Sequence, residues 1–363
     1  MMRRSTVPSV LMLGLMLGSA MAPLDHASAH REVFTPEEKD RLKVAERIYL
    51  ETLALTDRGP ADAAGIVSTA TARLKALGYG VTTDPAQPND VAVKMKCEER
   101  KVWEGTVTSG GDADQLDAAA RLWKGPACQI MYRMNSRWSD WRHEVRGEAG
   151  HGTSAEADKA QAGTKALADL TARLADDPFP FLLTAAWGQQ ARLLAALDSP
   201  ATTPAQRATI VTLLGNMFAV EAIPALSRTL NENDPALVQS AAVALGAIGH
   251  EDCIPVLLAQ LKQDKPDVRL AAVKGLGRLA PLHPNSEIVP ALLAQLPKEP
   301  VSAQTEIVRA LGKTTDRRIL EPLRTLNRSV QQQTRSDSSP EWKELRRALG
   351  QSLDQFDGVH TEE

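Results

Sequence analysis

"GHEDCIPVLLAQL", Gly249 to Leu261, nearly repeats "FAVEAIPALSRTL", Phe218 to Leu230, and the two phrases start 31 residues apart. The echo extends well beyond them. Leu-Gly recurs as Leu214-Gly215, Leu245-Gly246, Leu276-Gly277 and Leu311-Gly312, with spacings of 31, 31 and 35. A second landmark runs Ile223-Pro224, Ile254-Pro255, Val289-Pro290 and Glu321-Pro322, with spacings of 31, 35 and 32. Two landmarks that advance together define a repeat. The longer spacings coincide with added residues such as "PLHPNSE", Pro281 to Glu287.

Each unit follows one physical plan. A starter such as "NDPALV" or "DKPDVR" turns the chain and sets Pro at a helix start. A first helix follows, as in "DVRLAAVKGLGRL", and a short turn leads to a second, as in "SEIVPALLAQL". The Pro of the second landmark sits in that helix's first turn, where no internal N–H bond is lost. One helix pair cannot bury its apolar stripe alone, whereas stacked pairs bury it against each other.

The stretches "DKPDVRLAAVKGLGRLAP" and "IPVLLAQLKQD" resemble the HEAT-like repeat family, in its short phycobilin-lyase-type form. The resemblance spans about Pro204 to Val330, with residues 181–197 and 341–356 as flanking capping helices. It implies an α-solenoid. Members of that family range from lyases to scaffolds, so the resemblance leaves activity open. The starter's Val-Arg occurs as Val268-Arg269, while Val238-Gln239 stands in the preceding unit, so an Asp-Arg ladder is expected to be incomplete.

Upstream the design differs. "TPEEKDRLKVAERIYLETL" opens with Thr35, Pro36 and Glu38, the pattern of a capping box. Leu42, Ala45, Tyr49 and Leu53 then fall at helical spacing and predict one continuous helix. A second helix follows Pro60, with Ile66, Ala70, Leu74 and Leu77 on its apolar face and Gly78 at its end. "YGVTT" and "DVAVKMKCE" alternate as strands, as do "ACQIMYRM" and "WRHEVRGE" around the turn "NSRWSD". An insertion from Arg100 to Pro126 carries Asp112, Asp114 and Asp117. These read as an acidic helix start, because the later oxygen ligands of a calcium loop are missing. The expected fold is mostly α: a small α+β domain over 31–150, a linker and Ala-rich helix over 151–177, and an α-solenoid of HEAT-like helix pairs over 178–356. Residues 357–363 read as a flexible tail.

Residues 1–29 read as a signal peptide. Arg3 and Arg4 precede the apolar run Val10 to Met21, and Ala27-Ser28-Ala29 offers a small-residue cleavage site. The expected location is therefore periplasmic or secreted, in a bacterial envelope, with no membrane span after cleavage. A formal net charge of -3 gives no basic footprint for nucleic acid. In an oxidising space Cys97 and Cys128 are candidates for a disulfide, the other reading being two buried free thiols. Cys253 is expected buried in a helix.

No Ser/His/Asp set, phosphate loop or paired metal motif emerges, and no cofactor is indicated. Trp103, Trp123, Trp138 and Trp141 cluster in a chain with only 6 tryptophans, either as core or as a binding face. Trp138 and Trp141 flank a turn and are the candidate anchors. On the second helices Ser227, Arg228, Gln260, Lys262 and Gln295 are candidate surface positions, or simply solvated residues. The leading reading is an exported, non-catalytic interaction or assembly protein with a protein or peptide partner. The alternatives are an enzyme or enzyme accessory, and a metal or cofactor carrier using His143, His151 and the Asp112 cluster.

Overall fold

A computed structural model of the chain describes residues 34–105, 121–148, 156–336 and 339–357. Asp112, Asp114, Asp117, His151 and the leader lie outside the described residues, so the readings placed on them rest on sequence alone.

The N-terminal unit opens with α1 (Pro36–Lys43), and the capping box is present: the Thr35 hydroxyl accepts from the Glu38 N–H, and the Glu38 carboxylate accepts from the Thr35 N–H. The helix stops eight residues later, which corrects the expected continuous helix. "RIYLETLALT" is instead strand β1 (Arg47–Thr56). Ile48, Leu50 and Ala54 are buried on one face of it, a period of two that the coincidental helical spacing of Tyr49 and Leu53 obscured. β2 (Gly59–Pro60), α2 (Ala64–Ala76) and β3 (Gly80–Thr82) follow. β4 (Val91–Gly105) and β5 (Arg121–Met134) form a long antiparallel pair that takes in both ends of the expected insertion. β6 (Arg137–Trp138) and β7 (His143–Arg146) complete the sheet, whose order is β2-β1-β4-β5-β6, with β3 on β1 and β7 on β5. β1 runs parallel to β4, so α2 is a crossover helix rather than half of a helical hairpin.

Val91, Val93, Met95 and Cys97 fill one face of β4, as their alternation predicts. The other face carries the ion pairs Lys94–Glu51 and Lys96–Glu98. Cys97 lies directly opposite Cys128 in the ladder, and the two form a disulfide with Cα atoms 3.9 Å apart. Cys253 is a buried free thiol, pushed up to about 11 by burial. Helix α3 (Glu156–Asp176) lies against α2 and the sheet through Leu167, Leu170 and Leu174.

Helix pairs then follow: α4 (Phe179–Ala186) with α5 (Gln190–Leu197), α6 (Pro204–Asn216) with α7 (Ile223–Thr229), and α8 (Pro235–Ile248) with α9 (Cys253–Gln260). Next come α10 (Pro266–Leu279) with α11 (Ile288–Gln295), α12 (Val301–Leu311) with α13 (Leu320–Ser336), and the closing helix α14 (Pro340–Asp357). The first helices α6, α8, α10, α12 and α14 pack in succession, and the second helices, shorter than their partners in α7, α9 and α11, lie beside them.

This stacking explains the landmarks. Leu214, Leu245, Leu276 and Leu311 are all fully buried. The glycine after each marks where neighbouring first helices touch. A Cβ on Gly246 would stand 2.5 Å from the Gly275 carbonyl oxygen, and one on Gly277 would stand 2.8 Å from the Ala310 Cβ. The repeated Pro falls in the first turn of each second helix.

The ladder between repeats is more complete than Val268-Arg269 suggests. Arg207 and Arg269 both stand three residues after a helix-opening Pro and two repeats apart. Arg207 pairs with Glu232 at 2.5 Å, and Arg269 with Glu299 at 2.5 Å. Val238, not Val238-Gln239 as a pair, holds the intervening position and is buried.

Candidate functional site

The N-terminal unit and the first helix pair meet at a buried polar node. Tyr79 donates from its hydroxyl to Gln189 Oε1 at 2.9 Å and contacts the Thr184 hydroxyl at 3.0 Å. Gln189 Nε2 donates to the Leu42 and Ala45 carbonyls. Arg192 donates to Gln189 Oε1 and to the Leu77 carbonyl, with its guanidinium 4.3 Å from the Tyr79 ring centroid. Burial pushes the Tyr79 phenol up to about 12, against the hydrogen bond from Thr184 and the Arg192 charge. A fully satisfied buried network of this kind fixes a junction in one geometry.

Beside this node opens a cleft of about 620 Å³. Its floor is aromatic. Tyr132 on β5 meets the Trp187 ring edge-on at 5.6 Å and packs against Trp141 and Phe34 at 5.8 Å each. Trp138 stands at the rim, 38% exposed, with the Arg133 guanidinium 5.8 Å from its ring. Lys39, Lys43, Asp140 and Gln190 supply the polar groups at the margin. A second cleft of about 560 Å³ shares Lys43, Gly188 and Gln190 with the first and adds Val44 and Glu221. An apolar basin with few polar groups at its edge suits a ligand or an apolar side chain of a partner.

The structure brings the two predicted anchors together. Trp138 and Trp141 both line the cleft, Trp138 at the rim and Trp141 half-buried and stacked on His143. Trp103 and Trp123 are register partners across β4 and β5. His143 Nε2 lies 2.7 Å from Asp177 Oδ1, an oxygen that also accepts from the Phe179 N–H. That bond ties β7 to the start of α4. Among the described residues, no group of three or more His, Cys, Asp or Glu side chains could hold a metal ion.

The repeat positions do not converge on one spot. Ser227 turns its hydroxyl back to the Ile223 carbonyl. Arg228 reaches Asp198 of the preceding pair at 3.1 Å. Gln295 donates to Glu299 at 2.5 Å. Lys262 is exposed just after α9. Gln260, expected on the surface, is only 7% exposed, because its position faces the neighbouring helix layer as Thr229 does one repeat earlier.

Several residues at the cleft escaped the sequence reading. Val44 is 75% exposed and Phe218 66%, and Val220 is also exposed. Val44 lines the second cleft. Phe218 and Val220 lie between Met217 and Glu221, which line the two clefts. A signal for Phe218 was available: it aligns with Gly249 in the two phrases that define the repeat.

Residues 191–277 and 254–339 match the family of HEAT repeats. The C-terminal half carries HEAT repeats. A curated protein described as an uncharacterised phycocyanin operon protein Z, from Pseudanabaena tenuis (strain PCC 7409), is 32% identical over 75 residues. The match covers 21% of this chain and 37% of that protein, so the chain spans little more than a third of that relative's length. The aromatic cleft lies beside the start of the matched repeats, lined by α1, by Tyr132 and the Trp138–Trp141 turn, by the turn between α4 and α5, and by Met217 after α6.

Proposed function

We propose that this is an exported interaction or assembly protein of the bacterial envelope, which holds an apolar segment of a partner protein in the cleft at the start of its HEAT solenoid. HEAT repeats support a protein-binding role. The observation that carries the reading is that, among the described residues, two of the most exposed large apolar residues, Val44 and Trp138, line adjoining clefts, with exposed Phe218 and Val220 next in sequence to lining residues. Exposed apolar surface gathered in one place marks a binding site more often than scattered residues do. The polar node through Tyr79 and Gln189 presents the two halves of the cleft in one arrangement, which lowers the ordering cost of binding. The leader over residues 1–29 supports export, and the oxidised Cys97–Cys128 pair is compatible with it.

A photo-crosslinking residue at Phe218, in the full-length protein expressed in its native cell, tests this. Capture of one envelope protein from Phe218, and none from the same residue placed at Lys75 on α2, is the expected result. Capture of none, or a mature protein still carrying residues 1–29 in the cytosol, would overturn it. The likeness to a phycocyanin operon protein favours a second reading, in which the HEAT surface serves an enzyme as its accessory. In that case the captured partner is itself an enzyme.

A further inference from the structure

A different groove, of about 450 Å³, runs between α10, α12 and α14 on the first-helix side of the solenoid. Gly277 and Gly312 lie in its floor, and its rim is basic. Lys274 and Arg278 sit one turn apart on α10. Arg309 and Lys313 hold the same two positions one repeat on, each 35 residues later. Arg309 is compensated by Glu306 and Glu344. Among the described residues, no ion pair involves Lys274, Arg278 or Lys313. The chain as a whole is acidic, at a net charge of -3, so this local excess is not a reflection of composition. In the preceding repeat Val243 and Ala247 take these positions, which ends the basic patch on that side.

We propose that this groove docks an extended acidic segment of a partner protein, with carboxylates spaced to meet the cations of the two repeats. Packed helices lie about 8–10 Å apart. An extended chain in the polyproline II form advances about 3.1 Å per residue with about three residues per turn, so acidic side chains three residues apart share one face and fit the two rungs. No aromatic side chain lines the groove for a base to stack on, which favours a protein over single-stranded nucleic acid. The proposal goes beyond the aromatic cleft and does not rest on it.

Fluorescence anisotropy of the full mature chain with a fluorescein-labelled oligo-glutamate peptide tests the groove. Binding is expected to weaken steeply with salt. K274E/R278E/K313E is expected to bind on the order of tenfold or more weakly, and K274Q/R278Q/K313Q to shift in the same direction by less. Both variants should keep the wild-type unfolding midpoint, since all three side chains lie on the rim. Lys75→Glu, on α2, should bind as wild type does. Unchanged affinity in both triple variants overturns the proposal. So does a single-stranded oligonucleotide that binds more tightly and displaces the peptide. Photo-capture at Phe218 is unaffected by either result, so the two readings fail separately.

Discussion

Phe218 and Gly249 occupy the same turn of successive repeats, and both are left-handed, with φ of 53° and 76°. Gly188 holds the equivalent turn in the first pair with φ of 74°. The fold therefore calls for glycine here, and the chain supplies it on both sides of Phe218. A non-glycine residue in this conformation costs about 1–2 kcal/mol. The exposed Phe218 ring recovers little of that by burial within the chain. Phe218→Gly is expected to leave stability unchanged or raise it by up to about 1 kcal/mol, because the relief of strain is partly offset by greater freedom of the unfolded chain. The same variant should lose partner capture by a photo-crosslinking residue placed instead at Val44, which lines the second cleft. Urea unfolding measures the first effect. A loss of stability above about 1 kcal/mol would mean that the ring packs a structural role, not a binding one.

The solenoid was legible because its signal is long-range: two landmarks repeat in step, and each has a steric cause at helix contacts or helix starts. Beta-strand β1 was not, because Leu42, Ala45, Tyr49 and Leu53 satisfy a helical spacing, and the deciding fact is the parallel pairing with β4 more than 40 residues on. Trp138 and Trp141 were legible as a pair by their scarcity. Tyr132, Trp187 and Met217 were not, since they meet from three elements that only the tertiary fold brings together. Gln260 was misplaced because short second helices are buried on more than one side.

The contact at Gly246 predicts a sharp contrast between two glycine substitutions. A Cβ on Gly246 meets the Gly275 carbonyl oxygen at 2.5 Å, and backbone cannot move aside without separating α8 from α10. Gly246→Ala is expected to destabilise by about 2–3 kcal/mol. Gly350 on α14 has no atom within 4 Å of its would-be Cβ. Gly350→Ala should stabilise by about 0.5–1 kcal/mol through helix propensity. Thermal and urea unfolding of the two variants check both signs, and equal effects would refute the close helix approach.

The Cys97–Cys128 bond predicts a redox-dependent stability. It joins directly opposed residues of β4 and β5 with a sequence separation of 31. A loop of that length constrains the unfolded chain by about 3–4 kcal/mol. Reduction, or C97A/C128A, should lower the melting temperature of the sheet unit and leave the HEAT half much less affected. A melt indifferent to reductant, with two free thiols titrated in the native protein, would remove the bond.

Arg269 and Glu299 give the last prediction, which concerns pH. The Glu299 carboxylate is only 2% exposed and bonds Arg269 at 2.5 Å, and Arg269 also caps the Gln263 and Asp264 carbonyls of the loop before its own helix. The Arg269 hydrogen bond holds the Glu299 carboxyl below its ordinary value, against the opposing effect of burial. Asp90 is held at about 2, chiefly by its hydrogen bond to Arg47. Both carboxyls are lower in the folded than in the unfolded chain. Their contribution is therefore complete above the ordinary carboxylate range and is lost as pH falls through the folded values, for Asp90 between about 4 and about 2. Arg269→Met strands a buried carboxylate and should cost about 3 kcal/mol at neutral pH. Much of that cost should vanish at acid pH, where Glu299 is protonated. R269M/E299L should be less damaging than the sum of its single variants, with a coupling of about 1–3 kcal/mol. Urea unfolding of the four proteins at neutral and acid pH closes the cycle. Strict additivity at both pH values would show that the pair does not bind one repeat to the next.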